Sequence, residues 1–405
     1  MAEDPSTDTT SGRFASADPT AGLGLLAPLA GTWHGNGFNL IARPAFHYKT
    51  DLYLQLNQTH EVLQFVPIGS KVPNRGFGQD DIFLFGLTYL QKIHDAGHDG
   101  ALHIEPGIWV TQPSTTFPPE PNPAGGQIVG RMGSIPHGNA LLAQGSARSF
   151  TGPPVLAAGA VLYNGSSFPS FNSTPFGVPP TAPGLVLNAA GSSEKLTAPA
   201  LTPPAAPFPM YDLTIPSGPN AGPPPFLNTR TPYDTSPAEP PLPAAIAGVP
   251  MQNVINDPIL LLQSEIQKQV AAGYTFKTTV LNIATQQTVN FLKNPNAPTG
   301  PKAPPVTLPQ FGGGTENIQF LTGETVTSTT PAQLQENAQT ALVYATFWIE
   351  EVTDSHNGSS FMQLQYAQMV VLNFPVFQLL HQTPSKYVNL GWPHISVATL
   401  RKTFG

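Results

Sequence analysis

Much of this chain alternates between apolar and polar positions with a period of two, the signature of half-buried strands. In Asp51–Pro67, Leu52, Leu54 and Leu56 fall on one face, and a polar stretch then predicts a turn into a second strand. Asp81–Ile93 is more continuously apolar, Ala101–Val110 returns to the strand pattern, and Ile128–Phe150 predicts one or two strands around Pro136-His137-Gly138. Alternation resumes at Tyr274–Leu292 and again around Asn317–Thr330, Ala341–Val352 and Phe361–Phe374. One segment has the helical period instead. Ile259, Leu262, Ile266 and Val270 make an apolar stripe, with Asp257 placed as N-cap, Pro258 at the first helical position and Gly273 as terminator. Short strands at this spacing predict a mostly β protein, a closed antiparallel up-and-down barrel with one clear helix, and not a series of βαβ units.

Two stretches break the pattern. Residues 1–22 are polar and acidic and read as a disordered tail, with order beginning at Leu23. Residues 151–250 hold 23 of the 47 prolines and six charged residues, a density that no central strand accepts. They read as an insertion or lid, ordered at least in part because solvated linkers are more polar. The expected organisation is a barrel half at 23–150, the insertion at 151–250, and a helix plus the second half of the same barrel at 251–405. Neither half has enough strands to close alone.

Composition narrows the chemistry. Charged residues are only 10% of the 405, the formal net charge is −7 and no basic run occurs, which argues against a nucleic-acid partner. There is no Cys, which removes disulfides, thiolate metal sites and Cys nucleophiles. The N-terminus lacks a signal-peptide core and no apolar run reaches membrane-spanning length, so the expectation is a cytoplasmic protein without a membrane partner. The HExxH, GxSxG, Walker and dinucleotide-binding motifs are missing. His94 and His98 read as exposed turn residues.

Three local patterns remain. Gly31-Thr32-Trp33-His34-Gly35-Asn36-Gly37 opens the first strand, where a large ring suits the closed end of a barrel. His103 and Glu105 lie two apart and share a strand face, either as a pair satisfying each other at a rim or as polar groups in an apolar cavity. Pro393-His394-Ile395 opens the final strand, and His394 is either a packed histidine or the single imidazole that a haem iron needs in an apolar pocket. Met369 and Val371 share a face of the neighbouring strand and are placed as contacts of such a cofactor.

Taken together, these patterns resemble the nitrobindin-like haem-binding barrels. The match rests on Leu26-Ala27-Pro28-Leu29-Ala30-Gly31-Thr32-Trp33-His34-Gly35-Asn36-Gly37, on His103, Glu105 and Gly107, and on Pro393-His394-Ile395 with Ala398 and Leu400. The resemblance implies a ten-stranded barrel holding haem b, with His394 as proximal iron ligand and His103 on the pocket wall. It also implies binding of a small or diatomic ligand such as nitric oxide, and isomerisation of peroxynitrite to nitrate. The chain is more than twice the length of a minimal family barrel, and the 151–250 insertion has no counterpart there. Two other readings stand beside it: a lipocalin-like carrier of an apolar small molecule without metal, and an enzyme that shapes an apolar substrate in the barrel. Each leaves room for a homo-oligomer.

Overall fold

The computed structural model describes residues 18–45, 50–74, 80–116, 119–135, 139–154, 156, 176–177, 185–187, 195–197, 242–256, 258–284, 325–326, 334–335, 340–377 and 387–403. Most of the 151–250 insertion, the tail at 1–17, Asp257 and most of 285–339 lie outside the described residues, and with them the expectations placed there.

Ten strands form the barrel: β1 (Gly31–Ala45), β2 (Thr50–Pro67), β3 (Ile82–Asp95), β4 (Ala101–Gln112), β5 (Gly126–Ile135), β6 (Asn139–Thr151), β7 (Tyr274–Ala284), β8 (Thr340–Asp354), β9 (Ser360–Phe377) and β10 (Tyr387–Thr403). Each pairs antiparallel with the next in sequence, and β1 pairs with β10 to close the ring. Strands from both sides of the insertion therefore share one sheet. The seam where they meet is β6 with β7, in register from Gln144↔Ala284 to Thr151↔Lys277. Closure gives each of the ten strands a partner on both sides over part of its length.

Why the ring closes tightly at β1 is visible in its glycines. A Cβ on Gly35 would stand 2.1 Å from the carbonyl oxygen of Thr399, and one on Gly37 would stand 2.2 Å from that of Val397. Only glycine lets the two backbones approach this closely. The Gly35-Asn36-Gly37 spacing is thus a device of strand packing.

Two details differ from the sequence reading. Residues 50–67 run as one strand without a turn. Leu56 packs on the outer face, whereas Leu63 and Phe65 face the lumen, and Asn57, Thr59 and Glu61 between them are buried. A polar run in the middle of this strand is lumen lining. Likewise β10 begins at Tyr387, so His394 lies within the strand instead of opening it. Pro393 sits just beyond the last β1 pair, Ile41↔His394, a position where a missing N–H is tolerated.

One end of the barrel is closed. A 3-10 turn, Gly24–Leu29, places Leu26 and Leu29 against Trp33, Leu63, Phe65, Leu87 and Trp109. The Trp33 indole N–H donates to the Leu29 carbonyl at 2.7 Å, so the buried ring leaves no unpaired donor. Outside the wall, α1 (Met251–Asn256) and α2 (Ile259–Ala271) lie on β1, β8, β9 and β10 through a second cluster that includes Phe38, Leu40, Trp348, Met369, Ile395 and Val397. Ile259, Leu262 and Ile266 are buried as the helical stripe requires, and Gly273, at φ +85°, ends α2. Val270 is 48% exposed, however, and Gln269 takes the buried place because it hydrogen-bonds Gln363 on β9.

Candidate functional site

Alternation along each strand sorts the lumen into three levels. Nearest the plug, Trp33, Leu63, Phe65, Leu364 and Leu400 form the apolar level. A polar layer crosses the middle. At the far end, a cavity of about 590 Å³ is lined chiefly by Asn39, Ile93, His103, Gln368, Val370 and His394.

The middle layer has two parts. In the first, Arg131 of β5 donates from Nη2 to Glu105 Oε1 of β4 at 2.7 Å and from Nε to the Tyr89 hydroxyl at 3.1 Å. Its Nη1 donates to Gln368 Oε1 of β9 at 2.9 Å. The guanidinium also lies 5.1 Å from the Tyr89 ring centre and 5.3 Å from that of Phe347, so charge and stacking both hold it. Tyr89 donates its hydroxyl to Glu105. Burial alone would raise the Glu105 carboxyl, but the Arg131 charge and the hydrogen bonds from His103 and Tyr89 hold it down, to about 2. Glu105 is therefore an anion at neutral pH, matched one to one by Arg131.

In the second part, Glu61 of β2 accepts from the Tyr366 hydroxyl at 2.5 Å and from Thr59 at 2.9 Å, and Gln91 donates to Tyr366 at 3.0 Å. Burial raises the Glu61 carboxyl above its ordinary range despite these donors. Tyr366 is raised in turn, by burial and by the neighbouring carboxyl. This level is a closed hydrogen-bonded set, as buried polar groups require.

The cavity stands directly above. His103 leans over Glu105, with Nε2 3.4 Å from Oε2. His394 reaches the same cavity from β10, beside Val370 of β9 and Ile41 of β1 in register. The structure thus brings together the two histidines singled out in sequence, from strands separated by nearly the whole chain. It places the other two named contacts elsewhere. Met369 is buried on the outside of the barrel, in the cluster beneath α2, because Gln368, Val370 and Leu372 take the inward parity. Val371 has the parity of Met369 and pairs with Pro393; its side chain lies outside the described residues. Gly31, Trp33, Gly35 and Gly37 lie at or toward the closed end, away from the cavity.

Sequence reasoning missed Arg131, Asn39, Gln368 and Ser396. Arg131 carried a usable signal: it shares its strand parity with Val129 and Ile135, both buried, in a chain with few charges. His94 is not a turn residue: it lies in β3, paired with His60 of β2, and only His98 is in the β3–β4 turn; His94 Nδ1 is 3.1 Å from Asp99 Oδ1. Among the described residues no cluster of three or more His, Asp or Glu side chains could hold a metal ion by itself, and no helix is long and apolar enough to cross a membrane.

No protein-family model, no curated protein and no solved structure matches this chain.

Proposed function

We propose that the open end of the barrel is a small-molecule site, and that its ligand is haem b held by His394. The observation that carries this reading is one cavity that receives two imidazoles, His394 and His103, between apolar walls of Ile41, Ile93, Ile135, Val370 and Leu372. A volume of about 590 Å³ is in the range of sites that enclose a small organic ligand. Haem attachment asks for one neutral nitrogen donor and an apolar slot, and this donor set supplies both.

His394 would hold the iron, and the apolar side chains would enclose the macrocycle and exclude water. His103, positioned by Glu105, would face small ligands on the pocket wall. When bound, haem iron supplies a site for diatomic ligands and Lewis-acid chemistry of the kind peroxynitrite isomerisation uses. The Arg131–Glu105 pair beneath cancels in charge, so it would set the depth of the site without adding net charge to it.

A metal-free carrier of an organic molecule is favoured by one specific observation. The cavity base bears uncharged hydrogen-bonding groups, Asn39, Gln368 and Ser396, that haem ligation does not use. Titration of the full chain with hemin separates the two. A Soret band that saturates at one equivalent, disappears in His394→Ala and persists with a shifted maximum in His103→Ala is the result expected for haem. A wild-type protein that leaves the hemin spectrum unchanged, or a band indifferent to His394→Ala, overturns it.

A further inference from the structure

Strand register sets three polar side chains in one row at the base of the cavity. Gln368 pairs with Ser396, and Ser396 pairs with Asn39, so β9, β10 and β1 each contribute one inward group at the same height. The next row toward the mouth is Val370, His394 and Ile41. A polar row therefore lies one step below the imidazole, with apolar groups on either side of His394.

The hydrogen-bonding sense of this row is fixed from below. Arg131 has only donors, so the Gln368 oxygen that accepts from it at 2.9 Å is committed, and the Gln368 amide nitrogen is what remains to donate. At the other end, Asn39 is 3% exposed and its Oδ1 has no hydrogen-bond partner among the described residues. A buried acceptor left without a donor is costly, and its presence in a cavity wall points to a ligand that supplies one. Ser396 stands between them and can serve in either role. The sequence is donor, hydroxyl, acceptor.

Charge limits the class of ligand further. Arg131 is already neutralised by Glu105 at 2.7 Å, and the groups facing the cavity that can carry charge are Glu105, His103 and His394. An anion would lose its hydration and meet the Glu105 carboxylate, with no uncommitted Lys or Arg among the described lining residues to receive it. A hydrocarbon would leave the Asn39 acceptor unpaired.

We propose that Gln368, Ser396 and Asn39 form a recognition shelf for the head group of a neutral organic molecule carrying both a carbonyl oxygen and an N–H or O–H donor. Its apolar body would extend toward Ile93 and Val370. The carbonyl accepts from the Gln368 amide, the donor bonds Asn39 Oδ1, and Ser396 joins whichever partner lies closer. This rests on reading the cavity as a ligand site and concerns the haem-free protein, since Ile93 and Val370 are also walls assigned to the macrocycle.

Three probes of similar size test it on the full chain with no hemin added: benzamide, toluene and benzoate, followed by isothermal titration. Benzamide is expected to bind about tenfold or more tighter than either of the others, the discrimination that an unpaired buried polar group imposes. Asn39→Leu and Gln368→Met should each remove most of that preference, and Ser396→Ala should reduce it, while Val270→Ala, on the exposed face of α2 away from the cavity, should leave it in place. Circular dichroism identifies any variant that fails to fold, and the remaining variants then decide. Toluene bound as tightly as benzamide, benzamide not bound at all, or a preference unchanged in the folded shelf variants overturns the shelf. The hemin titration is independent: loss of the Soret band with the benzamide preference intact rejects haem alone.

Discussion

Glu350 is the clearest point at which pH should act on this fold. It lies on the outer face of β8 beneath α2, fully buried, with Oε2 accepting from Gln363 Nε2 at 2.6 Å and Oε1 without a partner among the described residues. Gln269 of α2 donates to Gln363 at 2.7 Å, so the carboxyl ends a chain of amides that ties the helix to the wall. Burial pushes the Glu350 carboxyl from 4.5 up to about 8; Gln363 opposes this, Glu265 adds to it and Arg401 offsets part. The folded state thus keeps a proton that the unfolded chain releases above pH 4.5. Stability from this group is complete below pH 4.5 and is lost as pH rises through about 8. At 1.36 kcal/mol per unit, the loss is about 3 kcal/mol by pH 7 and about 5 kcal/mol once pH passes the folded value. Glu350→Gln keeps the acceptor for Gln363 and removes the titration. Urea unfolding from pH 4.5 to 9 should show the two proteins nearly equal at the acid end and the variant more stable by about 3 kcal/mol at pH 7. Glu61 also titrates upward but is common to both proteins, so their difference isolates Glu350. Parallel stability curves would refute the reasoning.

Other consequences follow from the same geometry. Arg131→Met leaves the Glu105 carboxylate buried without its cation, and urea unfolding at pH 7 should show a loss of about 3–5 kcal/mol. That loss should shrink toward pH 4, as a carboxyl no longer held near 2 by Arg131 takes up a proton. Gly35→Ala forces apart β1 and β10 at Thr399, and thermal unfolding should register about 1–3 kcal/mol of destabilisation.

The outline of the barrel was legible because short alternating segments admit few architectures, and because neither half could close by itself. Trp33 was legible as an end plug for the same kind of reason: a large ring beside three glycines has few uses in a first strand. The face of β9 was not. In Gln363–Val370 both parities are buried, one by the lumen and the other by α2, so a period of two assigns no direction, and Met369 was placed inside on that account. The polar run in β2 misled in the opposite way, since Asn57, Thr59 and Glu61 look like a turn unless the lumen itself is polar. The Asn39 row depends on β1 meeting β10 across the closure, and the burial of Glu350 depends on α2 covering the β8–β9 hairpin; both bring together residues too distant in sequence for local pattern to join.

The middle layer explains how an open cavity persists in a barrel with so few charges. A lumen lined only by flexible apolar side chains could collapse inward and fill the space, since burial rewards close packing without regard to direction. Arg131 prevents this. Its fork is committed to Glu105, Tyr89 and Gln368, from three different strands, and the Tyr89 and Phe347 rings flank it. Displacing Arg131 or Glu105 would strand a buried charge, and displacing Tyr89 or Gln368 would leave a buried guanidinium N–H unpaired. The layer therefore acts as a floor that apolar groups from the plug cannot cross and that a ligand from the mouth cannot penetrate. Above it, His103 is fixed by Glu105 and Gln368 by Arg131, so the cavity presents its polar groups already oriented. Binding there would draw little on ordering the protein, and selectivity would follow from the groups the floor holds in place.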